Sequence, residues 1–409
     1  MQSNHRIFNT VLKQWQKSHA ARSDPHSHCT YLYDELGMRL LDRLDDIKRS
    51  FKNTLFIGAP NSQQMLKEII NDRKESSLFL DIGDDDQVRK FDRITIVDDS
   101  EAMLRRLCNG IGDDSFVNPS IRILGKQKSN DKYSIETVLS KPDYQNILDL
   151  LPNTQSSLNA SSDSTACTAT ESHSDTNTSH LPSLPPSHIQ FDSIIANFSL
   201  HWSNNPHQLF QSINQLLCPD GLFLAALPGT DSLFELRSSL QLAEEERLGG
   251  IRASHLSPFP NAQSLTGALE DSGFTLVTVD SEDIGIGYPG MLDLMDDLSL
   301  MGESNALESA SLEQMPLGKD VFLAADAIYH HMYPATIENK DNTANNTGKN
   351  TGKNTENNSV GMTGHTKRGI QATWQVLYLI GWKYCPVSQK KPAERGSQNV
   401  SLKDLHVDV

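Results

Sequence analysis

The first candidate site consists of a glycine and an aspartate that each end a short apolar segment. Gly58 follows residues 54–57, and Asp98 follows residues 93–97. A glycine at such a point lets the backbone approach a ligand closely, and an aspartate can accept hydrogen bonds from the two hydroxyl groups of a ribose. The pair is typical of a nucleotide-type site. The alternative is a strand-ending turn beside a solvated aspartate.

The second candidate site is the segment ANFSLHW, residues 196–202, which lies at the end of a strongly apolar stretch. It places the amide of Asn197, the imidazole of His201 and the indole of Trp202 close together. An imidazole can take up and release a proton near neutral pH. We therefore predict that His201 and Trp202 are catalytic and that Asn197 contacts a bound cofactor. The alternative is that both rings only pack beneath the helix that follows.

Alternating strands and helices must position these residues. Short apolar runs predict strands at residues 54–58, 93–97, 193–198 and 222–227. Apolar side chains spaced three and four residues apart predict helices between them. Such alternation indicates crossover connections, and therefore an α/β fold with a doubly wound, mostly parallel sheet. Ligands bind beyond the carboxyl ends of the strands in these sheets, which is where both candidate sites fall.

Composition argues against several classes of protein. The chain has 409 residues and a formal net charge of −16, which is unsuited to wrapping a nucleic-acid backbone. No apolar run approaches the roughly 20 residues that cross a bilayer, and the N-terminal residues lack the apolar core of a secretion signal. The five cysteines form no C-x-x-C pair, which is typical of a reducing compartment. We predict no metal site, because the His-x-Asp pair near the C-terminus, His406 and Asp408, has no obvious third partner.

Two polar segments dilute the folded part of the chain. Residues 153–187 are dominated by Ser and Thr, and residues 336–366 by Asn and Thr. Neither can bury enough apolar surface to offset the entropy of ordering, so we predict two disordered inserts. The predicted divisions are an N-terminal helical segment (1–52), the two halves of one α/β domain (53–152 and 188–335), the two inserts, and a C-terminal strand and tail (367–409).

Longer motifs carry a resemblance to known families. The second half of a class I S-adenosylmethionine-dependent methyltransferase domain is similar to FDSIIANFSLHWSNNPHQLFQSINQLLCPDGLFLAALPG. The group in question includes the malonyl-carrier-protein methyltransferase of biotin synthesis. A more specific resemblance, to the arginine-hydroxylase assembly factor 5 family of respiratory complex I and its alphaproteobacterial homologues, rests on YPGMLDLMDDLSLMGESNA, LAADAIYHHMYP and ATWQVLYLIGWKYCPVSQKKPAERGS.

This resemblance implies a seven-stranded methyltransferase-type sheet with helical and C-terminal elaborations, and S-adenosylmethionine at the strand ends. It implies that Gly58 belongs to the cofactor loop, that Asp98 is the ribose-binding acid and that Asp149 lies near the adenine. The pair His201-Trp202 corresponds to the family's Leu-His-Trp after the fourth strand. The loop departs from the family pattern at residues 59–61, which are Ala, Pro and Asn where further glycines are usual.

The resemblance also implies hydroxylation of an arginine in a subunit of the quinone-reducing arm of complex I. Glu303, Glu235 and Asp296 are then candidate contacts for the arginine, because a guanidinium is best held by carboxylates. Glu303 is favoured, since the segment MGESNA places it beside a glycine in a predicted loop. The alternative for each acid is that it caps or solvates a helix.

Two other functions stay open at this point. One is a methyltransferase that acts on a small molecule or an acyl carrier, and the other is a non-catalytic complex I assembly chaperone that has lost cofactor binding. Hydroxylation would need an oxidising cofactor, because side chains cannot supply the oxygen. The expected location is the cytoplasm of a bacterium, or the matrix side of the inner membrane in a eukaryote, where any membrane contact would be peripheral.

Overall fold

The structure is a computed structural model. It describes residues 6–25, 28–58, 63–71, 79–80, 88–89, 91–111, 123–124, 134–139, 147, 190–251, 254–308, 317–337 and 367–389. The predicted insert 153–187 lies outside the described residues, as do residues 338–366 of the second insert. The first two residues of that second insert, 336 and 337, belong to a short strand.

The helices of the described residues surround one sheet. They are α1 (Thr10–Ser23), α2 (Tyr31–Asp45), α3 (Gln63–Asn71), α4 (Glu101–Ile111), α5 (Pro206–Leu216), α6 (Phe234–Leu248), α7 (Ala262–Asp271), α8 (Met291–Met301) and α9 (Lys319–Met332). Helix α5 begins as its sequence predicts, because Asn205 accepts a hydrogen bond from Gln208 N and Pro206 occupies the first turn. None of the described helices combines the length and apolar character needed to cross a membrane.

The strands form one large sheet and a separate short pair, β2 with β3. They are β1 (Phe51–Ile57), β2 (Phe79–Leu80), β3 (Val88–Arg89), β4 (Phe91–Asp98), β5 (Ile123–Leu124), β6 (Ser134–Leu139), β7 (Phe191–Asn197), β8 (Leu217–Pro228), β9 (Phe274–Tyr288), β10 (Pro334–Ile337) and β11 (Lys367–Lys383). Each strand predicted from an apolar run is present, with bounds that differ by a few residues.

The order of the strands confirms the predicted methyltransferase-type sheet. Strands β6, β4, β1, β7 and β8 lie side by side and run parallel. Strand β11 pairs antiparallel with β8, and β9 pairs antiparallel with β11. These seven strands make the mostly parallel sheet, and β5 and β10 extend it with short antiparallel pairings.

Apolar side chains cover both faces of the sheet, as a doubly wound fold requires. Phe56 of β1 belongs to a core cluster that includes side chains of α2, α3, α6 and α8. Its neighbours Leu55 and Ile57 belong to a second cluster with α5 and α7. Successive strand residues point to opposite faces, so one apolar strand supplies both cores.

One local prediction is wrong. The spacing of Ser232 and Glu235 indicates a capping box at the start of α6. In the structure α6 has no side-chain cap, and Leu233 stands in the left-handed region at φ 53°. The hydroxyl of Ser232 donates to Gln375 O at 2.9 Å, and the Glu235 carboxylate accepts from Thr373. Both polar side chains therefore bind β11 and leave the first turn of α6 without a side-chain cap.

Candidate functional site

The carboxyl ends of three neighbouring strands form the candidate site. Ile57 of β1 lies beside Val97 of β4 and Ala196 of β7. Gly58, Asp98 and Asn197 come next along these strands, and all three are buried. The structure thus brings together three of the residues that the sequence predicts for a cofactor site, and their roles toward a cofactor stay predictions.

A close approach to Ser199 requires glycine at position 58. Gly58 has φ +94°, and its N–H donates to Val97 O at 2.9 Å. A Cβ added there would lie 2.5 Å from Ser199 Cβ, a separation that real Cβ atoms do not show. Ser199 Oγ donates to Ile57 O at 2.8 Å, which holds the serine against the glycine. The space in front of Gly58 is therefore occupied by Ser199.

The other two strand-end side chains also make internal hydrogen bonds. Asp98 Oδ1 accepts a hydrogen bond from Ser100 N at 2.7 Å, just before α4 begins. Asn197 Nδ2 donates to Tyr33 O in α2 at 2.9 Å. Asp149, the predicted adenine neighbour, lies outside the described residues. The predicted cofactor residues therefore also serve to hold α4 and α2 against the sheet.

We expect Asp98→Ala to destabilise the protein in the absence of any ligand, by about 1–3 kcal/mol. The reason is that Ser100 is buried, so its N–H would lose its acceptor without gaining water. Urea unfolding measures the change, with Asp296→Ala on the exposed face of α8 as the control. Equal midpoints for Asp98→Ala and the control would contradict this role.

His201, Trp202 and Glu303, the three predicted catalytic residues, are in direct contact. His201 Nε2 lies 3.0 Å from Glu303 Oε2, and Trp202 Nε1 donates to the same oxygen at 2.9 Å. The other carboxylate oxygen accepts from Tyr33 OH at 2.9 Å. The side chain of His201 is 1% exposed and that of Glu303 is 7% exposed. Tyr33, His201, Trp202 and Glu303 thus form a buried hydrogen-bonded cluster, which we call the Glu303 cluster.

Helix α8, which precedes Glu303, ends at a glycine. Helix α8 closes at Gly302, which adopts the left-handed φ of 79°, and Glu303 N donates back to Leu298 O at 2.8 Å. This geometry is the usual way in which a glycine terminates a helix. The loop turns Glu303 toward the turn Leu200–Trp202 that follows β7. The glycine before Glu303 therefore correctly predicts that this residue lies in a loop.

The charges in the Glu303 cluster are set by burial and by neighbouring groups. Burial acts to raise the pKa of Glu303, but Lys13 and His201 more than offset it and lower that pKa to about 2. Burial lowers the pKa of His201, despite the opposing effect of Glu303. Burial and Glu303 both raise the pKa of Tyr33. Near neutral pH a carboxylate therefore accepts from a neutral imidazole, an indole and a phenol.

Two lysines of α1, which the sequence analysis did not select, complete the site. Lys17 Nζ lies 2.7 Å from Asp99 Oδ1. Lys13 Nζ lies 3.7 Å from Glu303 Oε2 and 3.2 Å from the centroid of the Trp202 ring. Both lysines are buried. Lysine is rarely buried unless it is paired, so their acidic partners explain their position.

Little space remains between α1 and the strand ends. The cavity there has a volume of about 10 Å³ and is lined by Thr10, Lys13, Lys17, Asp99, Ser199, Trp202 and Ser203. Such a volume holds about one water molecule. S-adenosylmethionine is many times larger. Gly58 and Asp98, the predicted contacts of S-adenosylmethionine, do not line this cavity, and residues 59–62, which follow Gly58, lie outside the described part of the chain.

The two other candidate acids do not join the Glu303 cluster. Glu235 is buried, and its carboxylate accepts a hydrogen bond from Thr373 N at 3.2 Å and another from the Thr373 hydroxyl. Asp296 is exposed on α8. Glu303 is thus the one of the three acids that the structure places beside His201 and Trp202.

Comparisons with known proteins show which proteins this chain resembles. A family profile described as "Methyltransferase domain" matches residues 143–279. The mitochondrial arginine-hydroxylase NDUFAF5 of Rattus norvegicus is 31% identical over 402 residues, which are 98% of this chain and 83% of the rat protein. The malonyl-[acyl-carrier protein] O-methyltransferase of Xylella fastidiosa is 26% identical over 219 residues, or 54% of this chain and 60% of that protein. Among solved structures, the YcgJ protein of Bacillus subtilis has a TM-score of 0.39 at 10% identity, covering 85% of this chain and 99% of that one.

The extent of these matches separates the general relationship from the specific one. The Xylella enzyme matches about half of the chain, whereas the rat protein matches it almost from end to end. The longer match includes the C-terminal motifs and the segment that carries Glu303. A methyltransferase-type sheet with these additions, and similarity over nearly the full length, place this chain in the arginine-hydroxylase NDUFAF5 family of methyltransferase-fold proteins.

Proposed function

We propose that this protein modifies an arginine side chain of a respiratory complex I subunit, by the hydroxylation for which its rat relative is named. The observation that carries the proposal is the Glu303 cluster, where a buried carboxylate and an indole face meet at the strand ends. A guanidinium pairs with carboxylates and stacks on aromatic faces, so this combination suits an arginine.

The proposed roles follow from the contacts. Glu303 would hold the positive charge of the guanidinium, and the Trp202 ring would support its plane. His201 donates its Nε2 proton toward Glu303, which leaves Nδ1 as the acceptor. Among the described residues this buried Nδ1 has no hydrogen-bond partner. It is therefore the atom that would take up a proton during the reaction.

Hydroxylation replaces a C–H bond by C–OH, so it would need O2 as the source of the oxygen atom, an iron or flavin cofactor to activate it, and a two-electron reductant that converts the second oxygen atom to water. The described residues contain no group of three or more potential metal ligands. The proposal assigns to this chain's own residues the binding of the arginine, its orientation, the exclusion of water and the proton transfer at His201 Nδ1. The low exposure of the Glu303 cluster supports the exclusion of water.

S-adenosylmethionine enters the proposal as the cofactor that Gly58 and Asp98 would contact at the strand ends. Ser199 packs against Gly58, where an added Cβ would lie 2.5 Å from Ser199 Cβ. Isothermal titration of S-adenosylmethionine into the full chain tests this part of the proposal. A measurable heat with one site would support a cofactor-bound state, and a flat titration would remove this cofactor from the account.

A second candidate function is a non-catalytic assembly chaperone. The departure of residues 59–61 from the usual glycines favours it, because those glycines would let the backbone approach the cofactor closely. Both candidates place the protein at complex I, in the cytoplasm of a bacterium or on the matrix side of the inner membrane. They differ in whether the arginine becomes oxidised.

Deletion of the gene from its native host separates the two functions. The hydroxylase predicts that complex I subunits from the parent strain carry one extra oxygen on an arginine, seen by mass spectrometry, and that the deletion strain lacks it. The chaperone predicts an unmodified arginine in both strains and poor assembly of complex I in the deletion strain. Normal assembly together with unmodified arginine in both strains would contradict both.

A further inference from the structure

Helix α1 packs with the reverse of the usual amphipathic arrangement. Its buried residues are Lys13, Lys17, Ala20 and Ala21. Its exposed residues include Val11 at 69% and Trp15 at 60%. A surface helix normally turns an apolar stripe to the core. The inward face of α1 instead places Lys13 and Lys17 beside the carboxylates of Glu303 and Asp99. These ion pairs, rather than apolar contacts, determine which face of α1 is buried.

Lys13 occupies a site that is built for a cation. Its Nζ lies 3.2 Å from the Trp202 ring centroid and donates to Gly302 O at 2.6 Å and Ser304 O at 3.4 Å. The carboxylate of Glu303 lies 3.7 Å away. One aromatic face, one carboxylate and two carbonyl oxygens surround a single charge. We call these four groups the cation cage.

An ammonium is a poor occupant for the cation cage. Burial lowers the pKa of Lys13 to about 7, although Glu303 opposes this effect. A lysine ammonium is strongly hydrated, whereas a guanidinium is more weakly hydrated, keeps its charge and is planar. A guanidinium can therefore stack on the indole and donate to the carboxylate and carbonyls at a smaller desolvation cost. The cage suits an arginine side chain better than the lysine that it holds.

The apolar attachments of α1 are small, and its other attachments are hydrogen bonds, such as those from Gln14 to Asp99 O and from Gln16 to Asn305 O. Phe8 packs with Trp202, Ala306 and Leu307 in one minor cluster, and Ala20 and Ala21 pack with Met103 in another. Both clusters are separate from the two main cores. Small satellite contacts cost less to open than a core helix, because opening free energies scale with buried apolar contacts. Removal of Lys13 from the cage therefore does not require unfolding of the sheet.

We propose that Trp202, Glu303 and the carbonyl groups of Gly302 and Ser304 form a guanidinium-binding cage, and that Lys13 is an internal occupant which the arginine of the substrate displaces. The identity of the displacing group as a substrate arginine rests on the proposed function. The preference of the cage for a guanidinium rests on the contacts of Lys13 alone.

Chemical rescue of Lys13→Ala tests the cage directly. The variant empties the cage, and methylguanidinium is the probe, with N-methylurea as its neutral analogue. We expect a lower Tm for Lys13→Ala than for the parent protein. Methylguanidinium should then raise this Tm saturably, by roughly 2–4 °C at about ten times its Kd. N-methylurea should have no effect.

Three further proteins control for indirect effects. The parent protein and Lys13→Arg keep the cage filled, so neither should respond to methylguanidinium in the millimolar range. Lys48→Ala removes an exposed lysine and should behave as the parent protein does. An equal response of all variants, an equal effect of N-methylurea, or no response of Lys13→Ala would overturn the cage.

Labelling of the unmodified protein covers the case in which Lys13→Ala does not fold. An acylating reagent should modify Lys13 about tenfold faster when an arginine-containing peptide is present, because displacement exposes the Lys13 amine to the reagent. A tenfold faster rate requires only a modest increase in the fraction of molecules with Lys13 exposed. The same peptide with citrulline should leave the rate unchanged, and equal rates with both peptides would overturn the displacement. These readouts do not involve hydroxylation. If methylguanidinium rescues Lys13→Ala but the arginine of complex I is unmodified, only the proposed function is refuted. If methylguanidinium does not rescue the variant but the arginine is modified, only the cage is refuted.

Discussion

Replacement of Glu303 by alanine is expected to lower the free energy of unfolding by roughly 3–5 kcal/mol, the cost of breaking a buried ion pair from one side. The carboxylate accepts hydrogen bonds from Tyr33 and Trp202 and contacts His201 and Lys13. Its loss would leave a buried ammonium without its counter-charge and a phenol and an indole without their acceptor.

Urea unfolding followed by circular dichroism measures this loss. Asp296→Ala is the matched control, because it removes an acid from the exposed face of α8 and should change stability by less than about 0.5 kcal/mol. The double variant Lys13→Ala with Glu303→Ala should be less destabilised than the two single changes added together. A loss below about 1 kcal/mol for Glu303→Ala would mean that the cluster contributes little to the fold.

Acidification should remove the same stabilisation in a defined pH range. The pKa of Glu303 in the folded state is about 2, against an ordinary value of 4.5. Its contribution is therefore complete above about pH 4.5 and is lost as the pH falls toward 2, since the unfolded chain binds the proton first. The difference in pKa corresponds to about 3 kcal/mol. Of the titratable groups that contact Glu303, Lys13, with a pKa of about 7, and Tyr33, whose pKa is raised by burial, keep their protons throughout this range, and burial lowers the pKa of His201.

A comparison with Glu303→Gln isolates this effect from other carboxylates. The glutamine cannot titrate. The stability of the variant should therefore fall less steeply between pH 4.5 and 2, with a slope that corresponds to about one proton fewer taken up on unfolding. Thermal unfolding at several pH values provides the measurement. Parallel curves for the parent protein and Glu303→Gln would show that the carboxylate is not held in its ionised form by the fold.

The strand ends of this protein were predictable because the relevant signals are local. An apolar run followed by Gly58, Asp98 or the Asn197–Trp202 segment specifies both a strand and its carboxyl end. Parallel pairing then brings these ends to one edge without further information. Glu303 was predictable as a loop residue because a glycine precedes it. Its contact with His201 could not be predicted, because the two residues are 102 positions apart in the sequence and meet only through the packing of α8.

The role of α1 could not be predicted from the rules that served elsewhere. Amphipathic reasoning places lysines in water and residues such as Val11 and Trp15 in the core, whereas the structure does the opposite. The usable signal is that Lys13 and Lys17 share a helical stripe with Ala20 and Ala21, which permits close packing. The direction of that stripe depends on the acids that it meets, Asp99 and Glu303, which lie far along the sequence.

The most direct test of the central claim is the oxidation state of the substrate arginine when His201 is changed in the native host. His201→Gln should retain an N–H donor toward Glu303 but lacks the basic Nδ1 atom. Complex I subunits are analysed by mass spectrometry from a deletion strain that carries either the parent gene or His201→Gln, at equal protein abundance. The account predicts one added oxygen on the arginine with the parent gene and an unmodified arginine with His201→Gln. Full modification in the His201→Gln strain, or an unmodified arginine with the parent gene, would contradict it.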